Sequence, residues 1–198
     1  MIIDLHIHTS ISPCCRMDIE DIIERAKDRN LDGLCVTDHD TTDIRHVIPE
    51  GIQKNGVYVF FGMEYSTPQG DFLVFSPSDE TVPPNLSAEM LLKLVRDAGG
   101  VAVAAHPFRE KRPTDEQVIR NGLCGAIECI NGRNTALENS AAEKWRKCYE
   151  LTGCGGSDAH TLDEVGTFAT RFTVPIRSRL DLIQGLKNQL CRPEIPLS

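Results

Sequence analysis

Ile2-Ile3-Asp4-Leu5-His6-Ile7-His8, with Asp18–Arg29 after a short polar loop, is the stretch on which the reading of the fold turns. The first run is apolar and β-branched, as a buried strand requires. The second sets Ile19, Ile22, Ile23 and Ala26 on one helical face. The pair makes a βα unit, and the pattern returns along the chain. Gly33–His39 reads as the next strand. Val57–Glu64 and Asp71–Phe75 read as two more, parted by the turn-rich Thr67-Pro68-Gln69-Gly70. Ser87 caps a helix to Ala98, and Gly99-Gly100 stops it. Strands at Val101–Ala105, Gly125–Ile130 and Cys154–Ser157 follow, with helices over Ala136–Leu151 and Leu180–Leu190. About seven strands separated by helices predict an α/β fold with mostly parallel strands. Ser76–Pro84 reads as a surface loop, and the chain shows no repeat or linker. A single domain over residues 1–198 is therefore expected.

Hydrophobic residues make up 40% and charged residues 25% of the 198 positions, which suits a soluble globular protein with a real core. The opening MIIDLHIHTS lacks the basic and apolar regions of a signal peptide, and no apolar run nears the ~20 residues that span a bilayer. No membrane partner and a cytoplasmic location are expected. Eight cysteines are present, but Cys35 and Cys129 lie in strand-like runs, Cys148 in a helical one, and Cys14 and Cys15 are adjacent. That placement suits reduced thiols, and no C-x-x-C spacing supports a zinc knuckle. Net charge is −8, and no basic run exceeds Arg109-Glu110-Lys111-Arg112, which disfavours a long nucleic-acid duplex as substrate. Part of the acidic excess is expected to hold cations.

Of six histidines, five (His6, His8, His39, His106, His160) fall at or just beyond the C-terminal end of an expected strand. In parallel α/β folds that edge gathers ligands and catalytic groups. One such histidine is usually a surface or satisfied core residue; five in one structural position need another explanation. His46, in a polar stretch, is the ordinary case. His6 and His8 stand two apart on a strand, so their imidazoles share a face and can chelate one ion. Asp4 has the same parity and is expected to accept from an imidazole N–H. Asp38 and Asp40 flank His39, with Asp40 or Thr41 also readable as a helix cap. Glu64 ends an almost wholly apolar strand, where a carboxylate is costly unless it pairs or binds metal. Val103-Ala104-Ala105-His106-Pro107 and Gly155-Gly156-Ser157-Asp158-Ala159-His160 repeat the design.

Taken in order, D-L-H-x-H-T, T-D-H-D, a strand-end Glu, A-H-P and G-S-D-A-H resemble the PHP superfamily, named for polymerase and histidinol phosphatase. The resemblance spans Asp4 to His160. It implies a distorted seven-stranded (β/α) barrel, divalent metals and phosphoester hydrolysis. It further implies that His6, His8, Glu64 and Asp158 bind one ion, and that Glu64 bridges to a second, which His106 also binds. His39 and His160 would bind a third. Two positions depart from histidine: Asp71 stands where the second ion often has a ligand, and Cys14 where the third often has one. Cys14 is read here as a small loop residue in preference to a ligand.

Imidazoles and carboxylates together suit two or three ions of manganese, iron or zinc. Two close ions would supply a bridging hydroxide to attack phosphorus, with His39 or His160 protonating the leaving oxygen. Arg133, which follows a strand end, is the first choice for gripping phosphate, with Arg109 and Arg16 as alternatives. The expected substrate is a small phosphorylated metabolite or nucleotide. No P-loop, dinucleotide fingerprint or nucleophile elbow is present, so water is the expected nucleophile. Amide or ester hydrolysis by the same metals, or a non-catalytic module of a larger assembly, are the competing readings. The near-complete ligand set and the run from Met1 to a closing helix weigh against the module.

Overall fold

The computed structural model describes residues 1–78 and 81–195; Asp79 and Glu80, within the expected Ser76–Pro84 loop, lie outside the described residues. The first unit forms as expected: β1 (Ile2–Ile7) leads to α1 (Ile19–Asp28), and the Asp18 carboxylate accepts from Glu20 N to cap the helix. Helix α1 buries Ile19, Ile22, Ile23 and Ala26 beside β2 (Gly33–Val36). A 3-10 turn (Asp43–His46) and the short β3 (Gly51–Ile52) precede β4 (Tyr58–Phe61). The expected strand Val57–Glu64 is in fact two, since β5 (Met63–Thr67) begins after Gly62 and belongs to another sheet. A Cβ on Gly62 would sit 2.6 Å from the Phe75 ring, so only glycine lets the chain cross there.

β6 (Gly70–Phe75) pairs with β5 as a hairpin and with β7 (Val101–Ala104). Between β6 and β7 runs α2 (Ala88–Asp97), capped by Ser87. The short α3 (Glu116–Arg120) leads to β8 (Ala126–Asn131), and α4 (Ala136–Cys148) starts with a Thr135–Glu138 capping box before β9 (Thr152–Gly156). β10 (Ala169–Phe172), α5 (Arg179–Lys187) and β11 (Cys191–Glu194) end the described chain.

The strands form two sheets, ordered β11-β10-β1-β2-β4-β3 and β5-β6-β7-β8-β9. This corrects the expectation of seven mostly parallel strands in one barrel. Eleven strands are present among the described residues, with four parallel and five antiparallel pairings. The sheets do not close into a continuous hydrogen-bonded barrel. They meet at two seams, through isolated parallel bridges Ile7–Ala159 and His39–Glu64. The strands missed in the sequence are short ones at or near the edge of the first sheet, two residues in β3 and a proline-bearing run in β11, where a period-2 pattern has no length to develop. Ile3, Leu5, Phe60, Leu73, Phe75 and Val103 pack in one interior cluster drawn from both sheets, each fully buried and contributing about 1.5–3 kcal/mol. Helix α1 covers the outside of the first sheet, and α2 to α4 that of the second. No described helix is long and apolar enough to cross a membrane.

Candidate metal centre

Glu64 lies just past the Gly62 crossing, at one seam, and its carboxylate is the hub of the site. Oε1 lies 2.6 Å from His106 Nε2; Oε2 lies 3.4 Å from His6 Nε2, 3.2 Å from His8 Nε2 and 3.1 Å from His39 Nδ1. Asp158, at the other seam, sets Oδ1 at 3.6 Å from His6 Nε2 and 3.5 Å from His8 Nε2. His106 and Asp158 hold φ of +29° and +55°, left-handed values that cost about 1–3 kcal/mol each and are concentrated at functional sites. Gly156 lets this crowding happen, because a Cβ there would lie 2.6 Å from that of His6.

The rings of His6 and His8 are fixed from behind. His6 Nδ1 meets Glu128 Oε1 at 3.1 Å, and a carboxylate only accepts, so Nδ1 carries the proton. Ser12 Oγ donates to Asp38 Oδ1 at 2.6 Å and therefore accepts from His8 Nδ1 at 3.1 Å. Both Nε2 lone pairs then face each other across 3.1 Å, ringed by the Glu64 and Asp158 carboxylates. Such an arrangement repels unless a cation lies among the donors, whether a metal or a proton. The charges tell the same story. Burial alone would lower His6, but Asp158, Glu128 and Glu64 outweigh it and hold it well above the usual histidine value. Burial would raise Glu64, yet the imidazoles, His6 first, hold it well below the carboxylate range. His106 Nδ1 and Asp71 Oδ1 are buried without a hydrogen-bond partner, a further mark of donors awaiting a ligand.

The chemistry of this donor set fits divalent ions. Three overlapping groups offer ligand atoms within 4.8 Å of one another: His6, His8 and Asp158; His6, Glu64 and His106; and His8, Cys14, His39 and His160. Seven of the eight sequence-derived ligands are thus brought together. Asp71 is outside these groups; it is buried and its Oδ2 pairs with Arg112 Nε at 3.1 Å. Cys14, read as a loop filler, instead presents Sγ to His160 Nε2 at 3.1 Å. His160 Nδ1 has two neighbours at 2.9 Å, the Asp158 carbonyl and Arg133 Nη1. Burial lowers both His39 and His160, which favours neutral, lone-pair-bearing rings.

Arg109 turns inward, its Nη2 donating to Asp158 Oδ2 at 2.7 Å and to the side chains of Asn131 and Asn134. Arg133 and Arg16 are exposed. His46 is exposed on the 3-10 turn, away from the cluster groups. Asp40 is no helix cap: its Oδ1 accepts from Ser66 N at 2.9 Å. Asp4 departs from expectation as well. It accepts from the backbone N–H groups of His6, Ser157 and Gly166 and touches no imidazole, and burial raises its carboxyl to about 6. The carboxylate that orients His6 is Glu128, which sequence reasoning missed. Its signal was the one that marked Glu64, a lone acid in an apolar strand (Ala126-Ile127-Glu128-Cys129-Ile130). The Ser12–Asp38 relay to His8 was missed too, and spacing alone gives no sign of it.

Two family models match the chain, the PHP domain over residues 4–149 and the PHP-associated region over residues 136–191. Two Methanocaldococcus jannaschii proteins, both described as uncharacterized, are relatives. MJ1587 is 32% identical over 117 residues, covering 53% of this chain and 67% of its own. MJ0417 is 27% identical over 184 residues, covering 87% and 71%. Among solved structures, PsfC from Pseudomonas syringae matches with a TM-score of 0.81 at 22% identity, covering 98% of this chain and 91% of PsfC. A two-domain Bacteroides vulgatus protein, described as containing a PHP-like metal-dependent phosphoesterase, matches at 0.75 and 18%, covering 99% and 65%. The lesion-specific endonuclease EndoQ of Pyrococcus furiosus matches at 0.67 and 17%, covering 97% and 57%. At these identities the structural likeness is one of fold.

Proposed function

The chain belongs to the PHP domain family, and on that footing we propose that it is a metal-dependent phosphoesterase acting on a small phosphorylated metabolite or nucleotide. The observation that carries this reading is the pair of Nε2 lone pairs of His6 and His8, 3.1 Å apart between the carboxylates of Glu64 and Asp158. His6, His8, Glu64 and Asp158 would hold one ion; Glu64 and His106, with Asp71 nearby, would hold a second; His39 and His160 would hold a third. Bound there, divalent ions such as manganese, iron or zinc would supply Lewis acidity toward a phosphoryl group and toward water.

The residues of the chain do the rest. Glu128 and the Ser12–Asp38 pair keep the His6 and His8 lone pairs aimed inward. Arg133, at the rim beside His160, grips the phosphoryl group, with Arg109 and Arg16 as further cationic contacts. Arg109 is bound to Asp158 in the present geometry, so it serves phosphate only after turning away. As the bond from phosphorus to the ester oxygen breaks, His39 or His160 delivers a proton to the leaving oxygen when the third position holds no ion and their nitrogens are free. The ligands come from both sheets, which supports treating the chain as one domain. All eight cysteines are free thiols, in keeping with a cytoplasmic setting.

The test is elemental analysis of protein purified without chelator, then hydrolysis of a phosphomonoester, phosphodiester and oligonucleotide panel with manganese, iron or zinc. Two or more ions per chain and turnover of small phosphoesters are expected. One ion or none would sink the multinuclear centre. Activity only on amides or carboxylic esters, or only on oligonucleotides, would replace the proposed substrate class.

A further inference from the structure

The three ligand groups differ in chemistry as well as in place. The two buried groups each combine imidazole nitrogen with carboxylate oxygen. The third, at the rim, contains a thiol and three imidazoles and no carboxylate. Soft sulfur with imidazole nitrogen selects zinc among the common divalent ions, whereas carboxylate oxygen suits manganese. From this difference we infer that the rim position is a cysteine–histidine site, with Cys14 as a thiolate ligand beside His39 and His160, and that it takes zinc in preference to manganese. The inference rests on the metal-centre reading above and goes beyond it in naming the thiolate and the ion class.

Adjacent cysteines on the loop after β1 are put to opposite uses. Cys15 is buried and turns its Sγ toward the carbonyls of His8, at 3.4 Å, and His160, at 3.7 Å. Cys14 turns outward to the site, where its Sγ stands 3.1 Å from His160 Nε2. A carbonyl only accepts and a guanidinium only donates, so the two 2.9 Å contacts of His160 Nδ1, with Asp158 O and Arg133 Nη1, cannot both be hydrogen bonds; with the ring proton on Nδ1 toward Asp158 O, Nε2 has its lone pair on the side of Cys14. Arg133 is exposed and can swing from that Nδ1 toward a substrate. Rings of His39 and His160 flank His8 with centroids 4.6 and 4.5 Å away, so sulfur and three imidazoles surround one small volume. On coordination the thiol gives its proton to solvent and its sulfur lone pair to the ion.

Cobalt(II) is the probe, because a cobalt–thiolate bond adds a charge-transfer band in the near ultraviolet to the visible bands that any bound cobalt shows. The reduced, full-length protein loaded with cobalt should show both. Cys14→Ser should lose the near-ultraviolet band and one bound ion while keeping the visible bands of the others. Cys15→Ser should keep the band, and Cys14→His should restore the ion without it. One equivalent of zinc should remove the band from the cobalt-loaded wild type, and excess manganese should leave it. Visible bands with no thiolate band in the wild type, or a band that survives Cys14→Ser, would overturn this inference alone. Displacement by manganese as readily as by zinc would overturn the stated preference. Failure to bind any cobalt would overturn the metal centre itself.

Discussion

The buried heart of the site and its rim are held by different means. At the heart His6, His8, Glu64 and Asp158 are at most 2% exposed, and each histidine is fixed from behind by a partner that is itself buried. At the rim, His39 and His160 are partly exposed, Cys14 and Arg133 are exposed, and the partners that meet them are other site residues or solvent-facing groups. Burial with a complete set of partners gives a position one geometry, which metal chemistry needs. Partial exposure leaves side chains able to exchange one contact for another, as a substrate-facing edge requires. Substitutions at the heart should therefore remove function outright, and those at the rim should tune it.

Glu64→Gln is the severest way to test the heart. It keeps the shape but removes the charge that meets four imidazoles, and turnover should fall more than about a hundredfold while the circular dichroism spectrum is kept. Activity above about a tenth of wild type would contradict a ligand role. Glu128→Gln leaves every ligand side chain in place and neutralises the carboxylate that backs His6 and accepts from His106 N and Asn131 Nδ2. Metal affinity, read by competition with a chromophoric chelator, should drop about ten- to a hundredfold. An unchanged affinity would show that the heart needs no fixing from behind.

Rim substitutions should be milder. Arg133→Ala should raise KM for a phosphoester about tenfold, the worth of one charge-assisted hydrogen bond, while metal content stays constant. Loss of metal in that variant would blur the line between the two regions. Arg16→Ala removes the most peripheral of the proposed phosphate contacts, an exposed charge on the loop that carries Cys14, and should lower kcat/KM by about twofold. No change in the same assay would remove Arg16 from the substrate edge, and a loss of about tenfold would place it level with Arg133.

The heart was more legible in the sequence than the rim, for a physical reason. A strand repeats every two residues and ends at a defined edge, so His6 and His8 declare a shared face, and Glu64 stands out as a charge in apolar company. Glu128 carries the same signal but lies three residues before the strand end, away from the edge where ligands gather. Rim contacts depend on where loops turn. The adjacency of Cys14 and Cys15 says nothing of which sulfur faces the site, and Arg109 reaches Asp158 across 49 residues of sequence. The division into two sheets was hidden for a similar reason, since Gly62 interrupts a run whose composition is that of one strand. β10 and β11 are four residues each and carry arginine, glutamate or proline, so they resemble loops until their pairing is seen.

Among the described residues the seams between the sheets carry few main-chain hydrogen bonds: Asp158 N to His6 O, His8 N to Ala159 O, Asp40 N to Glu64 O, and Glu64 N shared between Thr37 O and Asp38 O. These amides lie beside ligands contributed from both sides of each join. Any ion held jointly by His6 or His8 and by Glu64 or Asp158 is therefore also a rivet between the sheets. Opening a seam must release the ion, so occupancy adds its binding free energy to the cost of opening. The same hydrogen-bonded amides become a record of loading: their protons exchange with solvent slowly when the rivets are in and quickly when a chelator has drawn them out.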